Sequence, residues 1–235
     1  MSLPTHKLTV LPHLIKWVPK NSAPVRKVIS FDLDHTIIKP VKGRFSRTSD
    51  DWVFMKYENT EVLATLSKQM AEKPDFHVVF FSNQGGVVSE PKTSKSCLKH
   101  VEKIGKVLKY ISENDSKLCE RIWIYCATKK PASLFGDNKR TRATNLNKVL
   151  KSVPPVRKKT IGGVLVTPEM FEHVRKPNRG MFDEFVKDSQ EHEESIDLLF
   201  FCGDAAGRPK DFSNSDKEFA NGLGVPFKLP EEYFN

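Results

Sequence analysis

The chain alternates short apolar runs with segments of helical periodicity. Apolar residues recur every three or four positions over residues 60–72 and again over 97–111, where the stripe begins with Cys97 and Leu98 and has lysines opposite it. The runs that are apolar almost throughout are residues 27–33, 76–82, 121–127 and 196–202. Because such runs are typical of strands buried on both faces, their alternation with helices predicts an α/β fold with a doubly wound, mostly parallel sheet.

Polar residues stand at the carboxyl ends of three of these predicted strands. The stretch FDLDHT places Asp32 and Asp34 at the end of the first run, Ser82 ends the second, and Asp204 follows the last. Open α/β sheets bind ligands at this edge, where the carboxyl ends of parallel strands meet. We therefore expect these side chains to share one site.

The three aspartates form a candidate metal site. Clustered carboxylates repel one another unless a cation or a proton lies between them. A few hard oxygen ligands suit Mg²⁺, whereas the four cysteines are widely spaced and show no CxxC pairing. The sequence therefore predicts Mg²⁺, held by Asp32, Asp34 and Asp204, rather than zinc.

Phosphoryl transfer gives each of these groups a task. One aspartate carboxylate can attack phosphorus and form an aspartyl-phosphate, while a second aspartate carries the proton. Positive charge and hydrogen-bond donors must meet the phosphoryl oxygens. Candidates for this are Lys176, the Ser82 hydroxyl and the backbone amides of Asn83 and Gln84.

Charge and length set broader bounds. The 235 residues carry a formal net charge of +9, which favours anionic partners without choosing among nucleic acid, an anionic membrane and phosphorylated molecules. No apolar stretch approaches the roughly 18 residues of a membrane span. We expect no membrane partner. We expect a monomer with one domain, residues 1–235, including an N-terminal extension over 1–24 and a basic insertion over 129–160.

Several stretches carry a resemblance to a known family. FDLDHT, the strand ending in Ser82, Lys176 in a KP pair and GDAAGR resemble, in order, the four motifs of the haloacid dehalogenase superfamily. FFSNQGG, RKPNRGMFDEF and DFSNSDKEFANGLGVPF narrow the likeness to the phosphatase domain of the polynucleotide kinase 3′-phosphatase family, in its stand-alone fungal form. The resemblance covers most of residues 25–234 and implies a haloacid dehalogenase-like fold without a large cap domain.

The resemblance also implies an activity and the roles of residues. It implies hydrolysis of 3′-phosphate ends of damaged DNA to 3′-hydroxyl, in strand-break repair in the nucleus. By family analogy Asp32 is the nucleophile and Asp34 the general acid/base, Ser82 and Lys176 bind the phosphoryl group, and Asp34 reaches Mg²⁺ through its backbone carbonyl. The candidate substrate-binding residues are Thr36, Asn83, Gln84, Arg175 and Arg208.

Two departures and two alternatives accompany this interpretation. His35 stands where the family commonly has glycine, and no GxxxxGK[ST] phosphate loop occurs, so no 5′-kinase activity is expected. One alternative is a phosphatase of the same superfamily that acts on a phosphoprotein or a small phosphate ester. The other is an inert module that binds DNA ends, which would not need the nucleophile Asp32.

Overall fold

The computed structural model of the chain describes residues 4–135, 159–161 and 164–235. Its strands are β1 (His6–Val10), β2 (Leu14–Pro19), β3 (Lys27–Phe31), β4 (Ile38–Lys39), β5 (Val53–Phe54), β6 (Lys56–Tyr57), β7 (Thr60–Glu61), β8 (Phe76–Asn83), β9 (Ile122–Ala127), β10 (Lys159–Ile161), β11 (Val164–Val166), β12 (Asp197–Cys202) and β13 (Phe227–Lys228). Its helices are α1 (Val62–Glu72), α2 (Lys95–Asn114), α3 (Ser116–Cys119), α4 (Ala132–Phe135), α5 (Pro168–His173), α6 (Gly180–Ser189), α7 (Ser215–Leu223) and α8 (Pro230–Tyr233), with a 3₁₀ turn at Glu193–Ser195. Most of the predicted basic insertion, residues 136–158, lies outside the described residues.

One seven-stranded sheet forms the centre of the fold. Its order is β1-β2-β9-β8-β3-β12-β13, and every neighbouring pair from β9 to β13 is parallel. The predicted α/β fold with a mostly parallel sheet is confirmed, since all four predicted strands are present in it. Their carboxyl ends lie at one edge, which brings the ends of β3, β8 and β12 side by side.

Apolar clusters cover both faces of the sheet. On one face α1 and α2 pack through residues such as Leu66 and Ile104, and on the other α6 and α7 pack through Phe185 and Phe219. The strands are therefore buried on both sides, which explains why their sequences are apolar throughout.

Helix α2 differs from its predicted stripe. Leu98 was predicted on the buried face but is 55% exposed, whereas His100 and Lys103 are buried. The helix is rotated so that these two polar side chains face the sheet edge, where Lys103 has a carboxylate partner. The rotation matters for the site, because it supplies a buried cation that the apolar pattern does not predict.

The N-terminal residues extend the sheet. Strands β1 and β2 form an antiparallel hairpin, and β2 continues antiparallel onto β9 from Leu14 to Trp17. Lys16 of β2 is buried and forms ion pairs with Glu184 and Asp188 of α6, at 2.9 and 2.8 Å. In the strand order β9 and β8 separate this hairpin from β3.

The segment between Asp34 and Ser82 is small. It contains the two-stranded ribbons β4–β5 and β6–β7, helix α1 and the loop of residues 40–52. Such short elements border the site instead of enclosing it.

Among the described helices, none is both long enough and apolar enough to cross a membrane.

Candidate active site

Asp32 occupies the carboxyl end of β3 and is buried. Its amide donates to the Cys202 carbonyl of β12 at 2.8 Å, which continues the parallel pairing and fixes the backbone. Its Oδ1 accepts from the Lys176 Nζ at 2.6 Å, and the same Nζ lies 2.7 Å from Asp216 Oδ1. One buried ammonium is therefore shared by two buried carboxylates.

This sharing sets the ionisation of both partners. Burial raises the pKa of Asp32 well above its usual value, and Asp216 and Asp204 add to the rise against the attraction of Lys176. Burial lowers the pKa of Lys176, but Asp216 and Asp32 outweigh it and the pKa is raised, so the lysine stays charged. The cluster of Asp32, Asp204, Asp216 and Lys176 thus contains one charged lysine and more carboxylates than cations.

Asp216 is held at the site by a close approach to Gly203. A Cβ at Gly203 would lie 2.6 Å from the Asp216 Cγ, which only glycine avoids. The second oxygen of Asp216 accepts from the Ala205 amide at 3.0 Å, so one carboxylate orients both Lys176 and the loop that carries Asp204. Asp216 is therefore a positioning residue.

The acidic cluster suits a divalent cation. Oxygens of Asp32, Asp204 and Asp216 lie within 4.8 Å of one another. Three carboxylates against one lysine leave a formal charge of −2, and hard oxygens are the ligands that Mg²⁺ prefers. Asp216 already holds Lys176 and Ala205, which leaves Asp32 and Asp204 as the side-chain ligands with an oxygen that no described residue occupies. The Asp34 carbonyl accepts no hydrogen bond from any described residue and is also available.

Asp34 has its own partners. The Gln84 Nε2 donates to Asp34 Oδ2 at 2.6 Å, and the Lys103 Nζ donates to Oδ1 at 2.9 Å. Burial raises the pKa of Asp34, but Lys103 and Gln84 outweigh it and the pKa is lowered. Burial also lowers the pKa of the adjacent His100 to about 3, so that ring is neutral at pH 7. These partners therefore favour the carboxylate form of Asp34.

Gln84 and Asn83 connect the end of β8 to the rest of the site. Gln84 Nε2 also lies 2.8 Å from the Ser82 Oγ, so the amide joins Ser82 to Asp34. The Asn83 side chain donates to the Lys176 carbonyl and accepts from the Lys176 amide, both at 2.9 Å. This pair of bonds fixes the Lys176 backbone against the sheet edge, so its side chain can reach Asp32.

A single pocket of about 720 Å³ collects most of the residues that the sequence predicts for the site. Those that line it are Asp32, Asp34, Ser82, Asn83, Gln84, Arg175, Lys176 and Asp204. Thr36 does not line it: its side chain is fully buried, and its Oγ1 has no hydrogen-bond partner among the described residues. Arg208 does not line the pocket either, because Asp211 and Glu231 bind its guanidinium.

The mouth of the pocket carries exposed aromatic and basic side chains. Phe45 is 74% exposed and Phe212 is 82% exposed. The Arg44 guanidinium lies 4.6 Å from the Phe212 ring centre and connects the two sides of the mouth. His35 adopts φ +66°, a left-handed conformation that explains why glycine suits this position, and its Nε2 lies 3.1 Å from the Arg44 carbonyl.

Two site residues were missed in the sequence. Asp216 stands on the same face of α7 as the buried Phe219 and Ala220, and Lys103 stands beside Ile104 and Val107 on the buried face of α2. A charged residue on the apolar face of a helix requires a buried partner. That signal was present in both helices, although it does not identify the partner.

Comparisons with known proteins agree with this geometry. The family described as "Polynucleotide kinase 3 phosphatase" matches residues 27–234. A polynucleotide 3′-phosphatase of Saccharomyces cerevisiae is 38% identical over 98% of this chain and 99% of its own length, and one of Saccharomyces mikatae is 40% identical over 97% and 96%.

More distant matches share less of the chain. A bifunctional polynucleotide phosphatase/kinase of Schizosaccharomyces pombe is 28% identical over 89% of this chain but only 38% of its own length. A solved structure of a putative HAD-like phosphatase from Mesorhizobium loti has a TM-score of 0.51 at 17% identity, covering 92% of this chain and 78% of that one. This likeness supports the haloacid dehalogenase-like fold. Since the family match runs from β3 to α8, the chain belongs to the polynucleotide kinase 3 phosphatase family.

Proposed function

We propose that this protein is a Mg²⁺-dependent phosphatase that removes 3′-phosphates from DNA ends through an aspartyl-phosphate. The observation that carries the proposal is the meeting of Asp32, Asp34, Ser82 and Lys176 in one pocket. Family membership and the names of the full-length relatives support the choice of substrate. The proposal includes action in the nucleus during strand-break repair.

In the first step Asp32 is the nucleophile. Its carboxylate oxygen bonds to phosphorus while the bond from phosphorus to the sugar O3′ breaks, and O3′ takes a proton from Asp34. Lys176, 2.6 Å from Asp32 Oδ1, neutralises the phosphoryl oxygens, and the Ser82 hydroxyl donates to them. Since Lys103 and Gln84 favour the charged form of Asp34, this carboxyl must take up a proton before it acts as the acid.

In the second step Asp34 acts as the base. A water attacks the aspartyl-phosphate and gives its proton to Asp34, which releases inorganic phosphate and restores the Asp32 carboxylate. The hydrogen bonds from Gln84 and Lys103 hold the Asp34 carboxylate in one orientation for this transfer. This step requires Asp34 in its ionised form, which Lys103 and Gln84 favour.

The metal site fits the same reaction. Asp32, Asp204 and the Asp34 carbonyl would hold Mg²⁺, which supplies positive charge beside the phosphoryl oxygens. We expect chelation of divalent metal to stop phosphate release and added Mg²⁺ to restore it. Restoration by Zn²⁺ but not by Mg²⁺ would contradict the assignment of oxygen ligands.

The mouth supports a polynucleotide substrate. The exposed rings of Phe45 and Phe212 offer stacking surfaces for bases, and Arg44 and Lys99 add positive charge along the same rim. The short ribbons between Asp34 and Ser82 leave room for a chain end to enter. A small metabolite would gain nothing from this open border.

The direct test compares phosphate release from matched substrates. These are one oligonucleotide with either a 3′- or a 5′-phosphate, a phosphoserine peptide and sugar phosphates. We expect the 3′-phosphorylated oligonucleotide to have the highest kcat/KM by at least about 100-fold, because the peptide and sugar phosphates lack bases for the mouth and a 5′-phosphate would reverse the direction of the strand through it. A preference for the peptide or sugar phosphates would favour the alternative phosphatase, and binding without release from any of them would favour an inert DNA-end binding module.

A further inference from the structure

A second cavity of about 340 Å³ adjoins the active-site pocket. Its lining consists of Gly85, Lys129, Lys130, Phe171, Glu172 and Arg175. Gly85 and Arg175 line both cavities, so the two are neighbours across these residues. The Phe171 ring is fully buried, which gives the cavity a fixed apolar floor beneath its cations.

The Arg175 guanidinium has no counter-ion among the residues that the structure describes. It is half-buried, and it forms no hydrogen bond or ion pair with any residue in the described ranges. Burial lowers its pKa. A guanidinium in such a place is stabilised when an anion binds there, since its planar donors match phosphate oxygens.

The other charged side chains of the second cavity add further positive charge. Lys130 Nζ lies 3.3 Å from the Glu172 carboxylate, so these two charges are paired. The Lys129 side chain forms no ion pair with a described residue, and its backbone is fixed by a 2.7 Å bond from its amide to the Val87 carbonyl. Lys129 and Arg175 therefore leave the cavity with an excess of positive charge, which suits a singly charged phosphodiester.

One glycine, Gly85, lies where the two cavities meet, and Gly86 lines the active-site pocket beside it. Neither Gly85 nor Gly86 has a positive φ. A Cβ at Gly85 would meet only an Arg175 nitrogen at 3.8 Å, and one at Gly86 would meet nothing within 4 Å. The fold itself does not require glycine here, so the space above these residues is available to the backbone of a ligand.

From these observations we infer that the second cavity binds the internucleotide phosphate that precedes the terminal 3′-phosphate of the substrate. The inference rests on the proposed function and specifies its smallest full substrate, a dinucleotide. Arg175 and Lys176 are consecutive, with Cα atoms about 3.8 Å apart. Lys176 reaches Asp32 in one cavity while Arg175 faces the next, as two neighbouring phosphates of one strand require.

Three small substrates test the inference. They are thymidine 3′-monophosphate, the dinucleotide TpTp, and TpTp with an uncharged methylphosphonate in place of its internucleotide phosphate. We expect kcat/KM for TpTp to exceed that of the mononucleotide by about tenfold or more, because charged hydrogen bonds form to the added phosphate. The methylphosphonate should lose most of that gain.

Variants locate the effect in the cavity. We expect Lys129→Met to lower the ratio of kcat/KM for TpTp over the mononucleotide at least about fivefold. Glu172→Gln should raise it, because Lys130 is then released from its ion pair. Lys68→Met, which removes an exposed lysine of α1 outside both cavities, is the matched control and should keep the wild-type ratio.

The outcomes separate the inference from the proposed function. Equal kcat/KM for all three substrates would overturn the inference and leave the 3′-phosphatase intact. A preference for TpTp that survives the methylphosphonate would assign the gain to the second base and also overturn it. If no 3′-phosphate is released at all, the proposed function fails. Calorimetry then decides the inference by comparing the binding of TpT with that of its methylphosphonate analogue. Tighter binding of TpT that Lys129→Met removes supports the inference, and equal binding of the two overturns it.

Discussion

Asp32 and Asp34 stand two residues apart in FDLDHT, yet their surroundings are opposite. Asp32 shares one buried lysine with Asp216, and its pKa is raised. Asp34 accepts hydrogen bonds from Lys103 and from the Gln84 amide, and its pKa is lowered. The difference shows that two carboxylates at one strand end can differ in ionisation: at Asp32 burial and the neighbouring carboxylates outweigh the shared lysine, whereas at Asp34 Lys103 and Gln84 outweigh burial.

The largest expected effect comes from Asp32→Asn. Removing the nucleophile should lower kcat on the order of 10⁴-fold or more, because no other group can form the covalent intermediate. Lys176 keeps Asp216 as its partner, so folding and DNA binding should stay close to wild type. Steady-state kinetics and an oligonucleotide binding assay on the same preparation check this. Near-normal turnover would overturn the assignment of Asp32.

Asp34→Asn should have the next largest effect. We expect a loss of about 10²- to 10⁴-fold on a 3′-phosphorylated oligonucleotide, because the proton carrier is gone from both steps. With p-nitrophenyl phosphate, whose leaving group needs no proton, the first step should survive. Stopped-flow kinetics should then show a burst of about one p-nitrophenolate per enzyme followed by slow turnover. An equal loss on both substrates, without a burst, would contradict the separation of tasks.

Asp216→Asn breaks the sharing of Lys176. The amide keeps one acceptor oxygen but points a donor at either the Lys176 Nζ or the Ala205 amide. We expect kcat/KM to fall about 10- to 100-fold and the free energy of unfolding to fall by about 3 kcal/mol. Urea unfolding and steady-state kinetics measure both. The matched control is Asp197→Asn, an exposed carboxylate at the opposite end of β12, which should change neither.

Lys103→Met should have the smallest effect and a characteristic pH dependence. The pKa of Asp34 is lower in the folded than in the unfolded protein, so ionised Asp34 stabilises the fold. This contribution is complete above the unfolded-state pKa of about 4 and is lost as pH falls through the folded-state pKa. The variant should lose about 2 kcal/mol of unfolding free energy near pH 7, and this deficit should shrink as pH falls below about 4. Urea unfolding in EDTA measures it. A deficit that does not change with pH would show that Lys103 acts through packing alone.

The fold was predictable because its signal is local. Four apolar runs could only be strands buried on both faces, and their carboxyl ends necessarily meet, which places Asp32, Ser82 and Asp204 together. The hairpin β1–β2 was predicted only as an extension, since its strands mix polar and apolar residues. Ribbons of two residues per strand, such as β4–β5, carry too little pattern to be recognised.

The partners of the catalytic groups were less predictable. The positions of Asp216 and Lys103 depend on how α7 and α2 are rotated against the sheet, and an apolar stripe fixes that rotation only to within about one residue. Leu98 shows the cost of this limit, since it fits the stripe yet is exposed. Arg208 shows another limit, because its motif does not reveal that Asp211 and Glu231 bind it. Tertiary contacts decide which side chain pairs with a charged residue, and the local sequence pattern does not contain them.

The most direct test of the account is to locate the phosphate on the enzyme during turnover. The Asp34→Asn variant, mixed with p-nitrophenyl phosphate and Mg²⁺ and quenched in acid during the burst, is digested and analysed by mass spectrometry. We predict phosphate on the peptide that carries Asp32 and fragment ions that place it on that side chain, with none in the Asp32→Asn variant. Phosphate on any other residue, or a burst without a phosphorylated Asp32, would contradict the account.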